Sequence, residues 1–547
     1  MKLKIAATIP TDILIIGGGA AGLRAAIEAR KYGLDVTIVS ESKVGFRNNT
    51  AIAAGGFATE GIWKGDGDSP EVHLSDTMKA GRFINDRHLV ETMTRNIRQQ
   101  VCDLMKFGCN FRKDDGELIV RQGAGHTYPR SVAIEAHKGI NLSKPLRHYA
   151  TGIGVSFIEG VLVTRLLRSD HRMVGVLGLD KNGQVVVISA RSTILTTGGA
   201  GQLYLRSSNA LGISGDSYAL AYEAGATLRD MEFVQFYPTT WGKQVNRLRS
   251  YERYIPVGAT LRNSREEDIL KVRGIDNINS ITRDKLTRII MEEIIKDRGD
   301  EGKVIFDFTT ISKENTRELY RSGLMLKGSS PEKLPVAPSA HFFMGGIKVN
   351  KNGETDITGL YAAGETCGSM HGANRLMGNA IAEALVFGTV TGKMAADKAL
   401  KMDREIPPSC EVTDGVEMLT ELASGSREIN LEQLQKSLKQ LMWDKVGIIR
   451  SQSSLEDARK DIIALWEQLR TALSTDSRQL FHKLKLTNIS AVAEMVCRAA
   501  LVRTESRGSH YRPDYSEEND ADWLKTVEIS LQEQGMRLTA VPVNQPG

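Results

Sequence analysis

An α/β fold organised around a Rossmann-like nucleotide-binding domain is predicted by three observations. A strand, glycine turn, helix and second strand open the chain, a second glycine-rich unit returns near residue 360, and 547 residues exceed what one hydrophobic core supports. At roughly 150 residues each, two to four domains are expected.

The opening unit reads as follows. Residues 12–16 are the short apolar run DILII, followed by GGGAAG, the alanine-rich stretch LRAAIEARKYG and a second apolar run, DVTIVSES. Gly17, Gly19 and Gly22 fit the GxGxxG spacing. The first glycine permits the tight turn, the second lets backbone approach a pyrophosphate, and the third lets helix pack on strand. The helix that begins at Ala20 and Ala21 then faces phosphate with its positive end. Glu41 stands where an acidic side chain accepts hydrogen bonds from a ribose, and Ser40 is the neighbouring candidate.

The second unit runs GLYAAGE and then GANRLMGNAIAEALVFG, a strand followed by a loop opening an apolar helix. Glu365 is placed to hold ribityl or ribose hydroxyls. The helix starting near Asn379 and Ala380 would turn its positive end toward a flavin N1/C2=O region, where negative charge develops on reduction. That favours a flavin over a nicotinamide.

Composition narrows the partners. The net charge of +5 is spread over 71 basic and 66 acidic residues without a long basic run, which points to anionic small ligands and not to nucleic acid. Cys102, Cys109, Cys367, Cys410 and Cys497 form no CxxC pair and no spacing suited to zinc or an iron–sulfur cluster, so no metal centre and no disulfide framework are expected. The N-terminal residues lack a secretion signal and no window approaches 18 apolar residues, so a cytoplasmic chain with no direct membrane span is expected.

Seven phrases in fixed order then carry a resemblance: DILIIGGGAAG, TAIAAGG, TTGGAG, GDSYALAYEAGATLRDMEFVQFYPT, HFFMGGI, GLYAAGE and HGANRLMGNAIAEALVFG. With MWDKVGIIR and RTESRGSHYR further on, the chain resembles the succinate dehydrogenase and fumarate reductase flavoprotein family along nearly its whole length, and is also similar to L-aspartate oxidase.

The resemblance implies a Rossmann-like FAD-binding domain in two stretches, residues 1–235 and 335–405. An α+β capping domain, 236–334, is inserted between them. A C-terminal helical domain, 412–530, and a tail, 531–547, follow. It adds Asn49, Thr50, Ala54, Gly55, Gly56, Gly198 and Asp216 to the cofactor-binding candidates. In the family, hydride passes between flavin N5 and a carbon next to a carboxylate, and a cap arginine moves the proton. TRDKLTRIIMEEI matches the helix bearing that arginine, which makes Arg283 the candidate and Asp284 its companion; an Arg–Asp pair capping a helix is the alternative. Because an arginine is a weak acid, such a role calls for a dry, electropositive site that brings the neutral form within reach. His341 and Arg375 match the pair that grips a substrate carboxylate, Arg375 also lying beside the cofactor.

Three departures shape the expectations. Asn49 stands where covalent members place a flavin-bonding histidine, so FAD is expected to bind non-covalently, with a bias toward reduction. Tyr237 replaces the histidine of QFHPT. The family's Thr-Glu pair aligns with Gly258 and Ala259, ahead of a relay candidate at Arg262. The carboxylate-gripping end is thus retained and the opposite end altered, which implies an enoate with a different far end. Residues 241–257, with Arg247, Arg249, Tyr251, Arg253 and Tyr254, either supply replacement contacts or form a solvated basic loop.

The reaction class expected is a flavin-dependent reductase or dehydrogenase of a carboxylate's carbon–carbon bond. An L-aspartate oxidase-like enzyme is the rival. A third reading is a flavoprotein subunit of an iron–sulfur complex with altered substrate, like adenylylsulfate reductase, associated with a membrane only through its partner. Helices at 431–442 and 455–472 are where such an iron–sulfur electron-transfer subunit would dock, or else ordinary amphipathic packing.

Overall fold

The computed structural model describes residues 3–62, 65–242, 246–299, 301–321 and 332–543. Five short apolar segments pair in parallel, in the order Leu360–Ala362, Ser192–Leu195, Ile13–Ile16, Val36–Ser40 and Ser156–Glu159. Ile13–Ile16 is buried throughout, as a central strand covered on both faces requires. The two glycine-rich units therefore meet in one sheet.

Their helices, Ala20–Arg30 and Asn379–Ala399, lie against each other. Close contact is possible because Gly388 and Gly392, one turn apart, face the partner backbone. A Cβ on Gly388 would stand 2.6 Å from the Ala21 carbonyl oxygen, and one on Gly392 2.4 Å from that of Ala25. A second sheet, Lys4–Pro10, Gln184–Ser189, Arg172–Asp180 and Val161–Ser169, flanks this unit.

The cap rises on two long strands. Val234–Trp241 and Lys333–Phe343 run antiparallel, pairing Val234 with Phe343, Gln235 with Phe342 and Tyr237 with Ser339. Val234 and Phe343 belong to the main core, whereas Tyr237 and Val336 belong to a separate one with Leu261, Leu286 and Phe306. The same strands thus carry the backbone from one core to the other. Helix Arg283–Glu293 packs on them inside the cap.

Four helices follow: Ser409–Ala423, Leu431–Lys445, Gln452–Thr471 and Ser477–Val502. Side chains of Asn430, Ser451 and Asp476 cap the last three by accepting from first-turn N–H groups. None of the described helices is long and apolar enough to cross a membrane. The five cysteines are free.

Residues 525–542, which the sequence reading divides between helical domain and tail, form a β-hairpin instead. Lys525–Gln532 pairs with Gly535–Pro542 and also with Leu228–Arg229. The alternation in TVEISL explains it, because Val527 and Ile529 are buried while Glu528 faces the other way, onto Arg229. At the base of the cap, fully buried Arg503 bonds Glu232 at 2.6 Å and Glu505 at 2.9 Å. Arg450 donates to the Glu232 carbonyl at 2.7 Å. The motifs MWDKVGIIR and RTESRGSHYR thus meet at Glu232, where Arg503 is ion-paired, the form in which buried charge is tolerated, and Arg450 is held by the backbone carbonyl.

Candidate active site

A cleft of about 2820 Å³ runs from the carboxyl ends of the parallel strands to the underside of the cap. Its nucleotide end is built from the glycine turn. Gly17 has φ +115°, and a Cβ there would stand 2.4 Å from the Thr196 carbonyl oxygen. Gly22 packs helix on strand, with a Cβ position 2.1 Å from the Gly17 oxygen, and does not line the cleft. Gly19 differs: its Cβ position has only Thr50 Oγ1 nearby, at 3.5 Å, and opens onto the cleft. Thr50 Oγ1 accepts from Ala20 N at 3.1 Å, tying the 49–56 segment to the turn. A glycine cradle beside a helix N-terminus fits the pyrophosphate of FAD.

Gly17, Gly19, Ala20, Ala21, Ser40, Glu41, Asn49, Thr50, Ala54, Gly55, Gly56, Gly198, Asp216, Glu365 and Ala380 all line this cleft. Asn379 does not. Its side chain turns inward, donating to Thr77 Oγ1 at 2.9 Å and lying 3.0 Å from His73 Nε2, while the neighbouring Gly378 and Ala380 face the cleft. Glu41 and Asp216 line it with their carboxylates already engaged. Lys485 Nζ lies 2.7 Å from Glu41 and 2.5 Å from Asp216. Burial raises the Glu41 carboxyl above its usual range, and Lys485 opposes the rise. The sequence gives no signal for Lys485, which arrives from helix Ser477–Val502.

Midway along the cleft, Glu365 accepts from Phe343 N at 3.1 Å and from Asn49 Nδ2 at 3.2 Å. Removal from water pushes its pKa up to about 7. Asn49 also donates to Asn209 Oδ1 at 2.8 Å and accepts from Ala210 N at 3.0 Å. Its amide is therefore fully used in positioning.

The cap end gathers the remaining candidates. Gln235 Oε1 accepts from Arg283 Nη1 at 3.1 Å and from Arg375 Nη2 at 2.9 Å, so one amide oxygen draws two guanidinium groups together. The Nε atoms of Arg283 and Arg375 are buried and have no hydrogen-bond partner among the described residues. Buried orphaned donors of that kind call for an acceptor from a ligand. Burial lowers the Arg375 pKa to about 9, with Arg283 adding to the effect. His341 Nδ1 lies 2.8 Å from Ser208 Oγ. Burial, then Arg375 and Arg283, hold its pKa well below the ordinary value, so the ring is neutral.

Arg283 is not in the electropositive setting expected for it. Its Nη2 lies 3.2 Å from Glu252 Oε1, and its guanidinium stacks 4.9 Å from the Tyr237 ring centre. Burial would lower its pKa, but Tyr251, Glu252 and Tyr237 outweigh burial and raise it. Asp284, the expected companion, instead accepts from Asn374 Nδ2 at 3.0 Å. Tyr237 does not present its hydroxyl to the cleft as a free donor, since it donates to Glu252 Oε2 at 2.8 Å.

Arg262 lies elsewhere. It bonds Asp307 at 3.2 Å and the Glu266 carbonyl at 2.8 Å, and does not line the cleft. Gly258 and Ala259 likewise sit away from Arg283; the pair facing it is Tyr251–Glu252. The different length of the 241–257 insertion shifts the register, and the short helix Tyr251–Tyr254 restores a carboxylate to the site. Glu252 is the residue the sequence reading misses, although Tyr251 and Arg253 beside it are named there. Within that insertion Tyr254 joins the cap core, Arg247 and Arg249 stack on Trp241, and 243–245 lie outside the described residues.

Known proteins resemble this chain over nearly its whole length. Residues 12–381 match the family model described as an FAD binding domain, and 435–546 match that of the fumarate reductase flavoprotein C-terminus. An uncharacterized FAD-dependent oxidoreductase of Methanocaldococcus jannaschii is 36% identical, covering 95% of this chain and 96% of its own. A fumarate reductase (CoM/CoB) subunit from Methanothermobacter marburgensis is 35% identical, covering 94% and 96%. Among solved structures, a mutant E. coli quinol fumarate reductase superposes with a TM-score of 0.88 at 27% identity, covering 99% of this chain and 98% of its own. With the FAD-binding cleft, the cap on its two strands and the C-terminal helices all in place, the chain belongs to the succinate dehydrogenase and fumarate reductase flavoprotein family, as an FAD-dependent oxidoreductase.

Proposed function

We propose that the chain reduces the carbon–carbon double bond of an enoate, with Arg375 and His341 holding the carboxylate and Arg283 moving the proton. The observation that carries this reading is the convergence of Arg283 and Arg375 on Gln235 Oε1, each with an orphaned Nε, beside a neutral His341. Arg375 offers a planar charged donor set to one carboxylate and His341 a further ring nitrogen. When bound, FAD supplies the hydride chemistry.

Arg283 is held firmly protonated, so it releases a proton only as another arrives. Glu252, hydrogen-bonded to both Arg283 and Tyr237, is placed to deliver it. Arg283, Glu252 and Arg375 have little contact with water, which strengthens each electrostatic contact among them. We further propose that FAD is held non-covalently, because an amide at position 49 cannot form the histidyl bond. Electrons would reach it through a partner subunit, since the sequence has no cysteine cluster to act as a wire.

The deciding experiment is anaerobic reoxidation of the dithionite-reduced, FAD-loaded chain, followed at the flavin absorbance band. Rapid reoxidation by fumarate or a substituted enoate supports the reading. Reoxidation by oxygen alone, with L-aspartate serving as reductant, replaces it with an oxidase.

A further inference from the structure

Beyond Glu252 the cleft opens between the cap and the nucleotide domain, and there the charge pattern changes. Arg112, Arg121 and Arg253 line this opening together with His137. Among the described residues none of the three arginines has a carboxylate partner. By contrast, the fully buried arginines Arg24 and Arg130 are paired: Arg24 lies 3.1 Å from Asp103 and Arg130 2.7 Å from Asp68. Three guanidinium groups without counter-charge repel one another, and such an arrangement attracts an anion from solution.

The placement is built into the backbone. Arg112 N donates to the Ala133 carbonyl and Arg121 N to that of Ser131, both at 2.9 Å, so both arginines spring from strand-like segments tied to 131–133. Arg112 Nη1 donates to His137 Nε2 at 2.5 Å, which fixes the imidazole as an acceptor. Ala136 and His137 hold φ values of +59° and +49°, conformations unfavourable for non-glycine residues. Burial, then Arg112, Arg253 and Arg121, lower the His137 pKa to about 4, so the ring adds no charge of its own.

The cluster also adjoins the proposed reacting centre. Arg253 follows Glu252, which holds Arg283. The loop continuing from Arg121 reaches Leu376 and Met377, where a Cβ on Gly125 would stand 2.7 Å from Leu376 Cδ1 and one on Gly123 3.0 Å from Met377 Cε. Both sides of the opening are therefore joined through neighbouring residues to Arg283 and Arg375.

We propose that Arg112, Arg121 and Arg253 form a second anion site that binds an oxyanion at the far end of a substrate longer than a four-carbon dicarboxylate. This rests on the enoate reading and specifies its substrate class: an enoate whose carboxylate is gripped by Arg375 and His341 and whose other end carries a carboxylate, phosphate or sulfonate. The altered environment of Tyr237 fits, because its hydroxyl is committed to Glu252 and leaves the distant charge to be met at the opening.

Two measurements test it. In the first, the oxidised, FAD-loaded protein is titrated with adipate and with hexanoate while the flavin spectrum is followed, a binding readout that needs no turnover. Adipate is expected to bind more tightly than hexanoate. Arg121→Gln and the exposed Arg253→Gln are each expected to weaken adipate about fivefold, the effect of one partly screened charge pair, and to leave hexanoate unchanged. Equal binding of the two acids by the unaltered protein, or unchanged adipate affinity in both variants, overturns the proposal. In the second, the reduced protein is mixed with fumarate, trans-2-hexenedioate and trans-2-hexenoate. Failure of all three to reoxidise the flavin refutes the enoate reading, while the adipate titration still decides the anion site. Reoxidation by fumarate with no preference between the two six-carbon enoates overturns the anion site and leaves the reductase standing.

Discussion

Glu252 Oε1 lies 3.2 Å from Arg283 Nη2, and Oε2 of the same carboxylate accepts the Tyr237 hydroxyl at 2.8 Å. One side chain from the cap insertion thus bridges the proposed proton donor and the aromatic ring stacked on it. Because the guanidinium stays charged in this setting, the proposed transfer from Arg283 calls for a replacement proton, and Glu252 is the side chain placed to pass it on.

Arg283→Ala is expected to keep FAD bound and to slow flavin reoxidation by enoate at least 100-fold, the scale of a lost general acid. Glu252→Gln keeps the size of the side chain but removes the carboxylate that would pass a proton to Arg283, so it should slow reoxidation as well, with less effect on the apparent affinity for enoate. Stopped-flow absorbance separates the two quantities. An Arg283→Ala protein that reoxidises at the original rate removes the assignment.

The glycine turn gives a contrast between cofactor loss and fold loss. At Gly19 an added Cβ meets only Thr50 Oγ1, at 3.5 Å, and points into the cleft, so Gly19→Val should fold and melt like the apo protein while failing to take up FAD. At Gly22 the first carbon would stand 2.1 Å from the Gly17 oxygen, so Gly22→Val should lower the melting temperature of the apo protein itself. Circular dichroism melts and flavin absorbance after reconstitution read both.

Glu365 makes stability depend on pH. Its folded pKa of about 7 lies above the usual carboxyl value, so the folded chain binds more protons than the unfolded chain between roughly pH 4.5 and 7. This group's contribution is therefore complete below that window and is lost as pH rises through 7. Glu365→Gln should flatten that part of the apo stability profile and be relatively more stable at pH 8. Denaturant melts of both proteins across pH 5 to 8 measure it.

Asn49 spends its amide on Asn209, Glu365 and Ala210, and no nucleophilic ring nitrogen stands at that position. Acid precipitation of the loaded protein should release all of the flavin into the supernatant. Flavin fluorescence remaining in the washed pellet would contradict non-covalent attachment.

Much of the molecule can be read in one dimension because local physics writes it there. The GxGxxG turn, the alternating or continuous apolar strands and the capped amphipathic helices depend on neighbours a few residues away. The two helices expected at 431–442 and 455–472 occur as Leu431–Lys445 and Gln452–Thr471. Arg283, His341, Arg375 and Tyr237, drawn from distant motifs, do reach the same cleft. Other features escaped because their cause is distant in sequence. Arg262 falls on Asp307, and Glu252 takes the place facing Arg283, since an insertion changes which residue a short helix presents.

The sequence by itself determined the nucleotide cradle, the two glycine-rich units that build it and the residue types gathered at the cap end of the cleft. Only the tertiary structure decided which partners those residues take. Lys485 reaches Glu41 across 444 positions of chain, and Asn379 turns its amide away to Thr77. Glycine turns and periodic apolar faces are local consequences of backbone sterics and burial. A buried charge or amide is settled by whichever complementary group the completed packing brings within about 3 Å, because an unpaired polar group there is costly and sequence spacing does not constrain its partner.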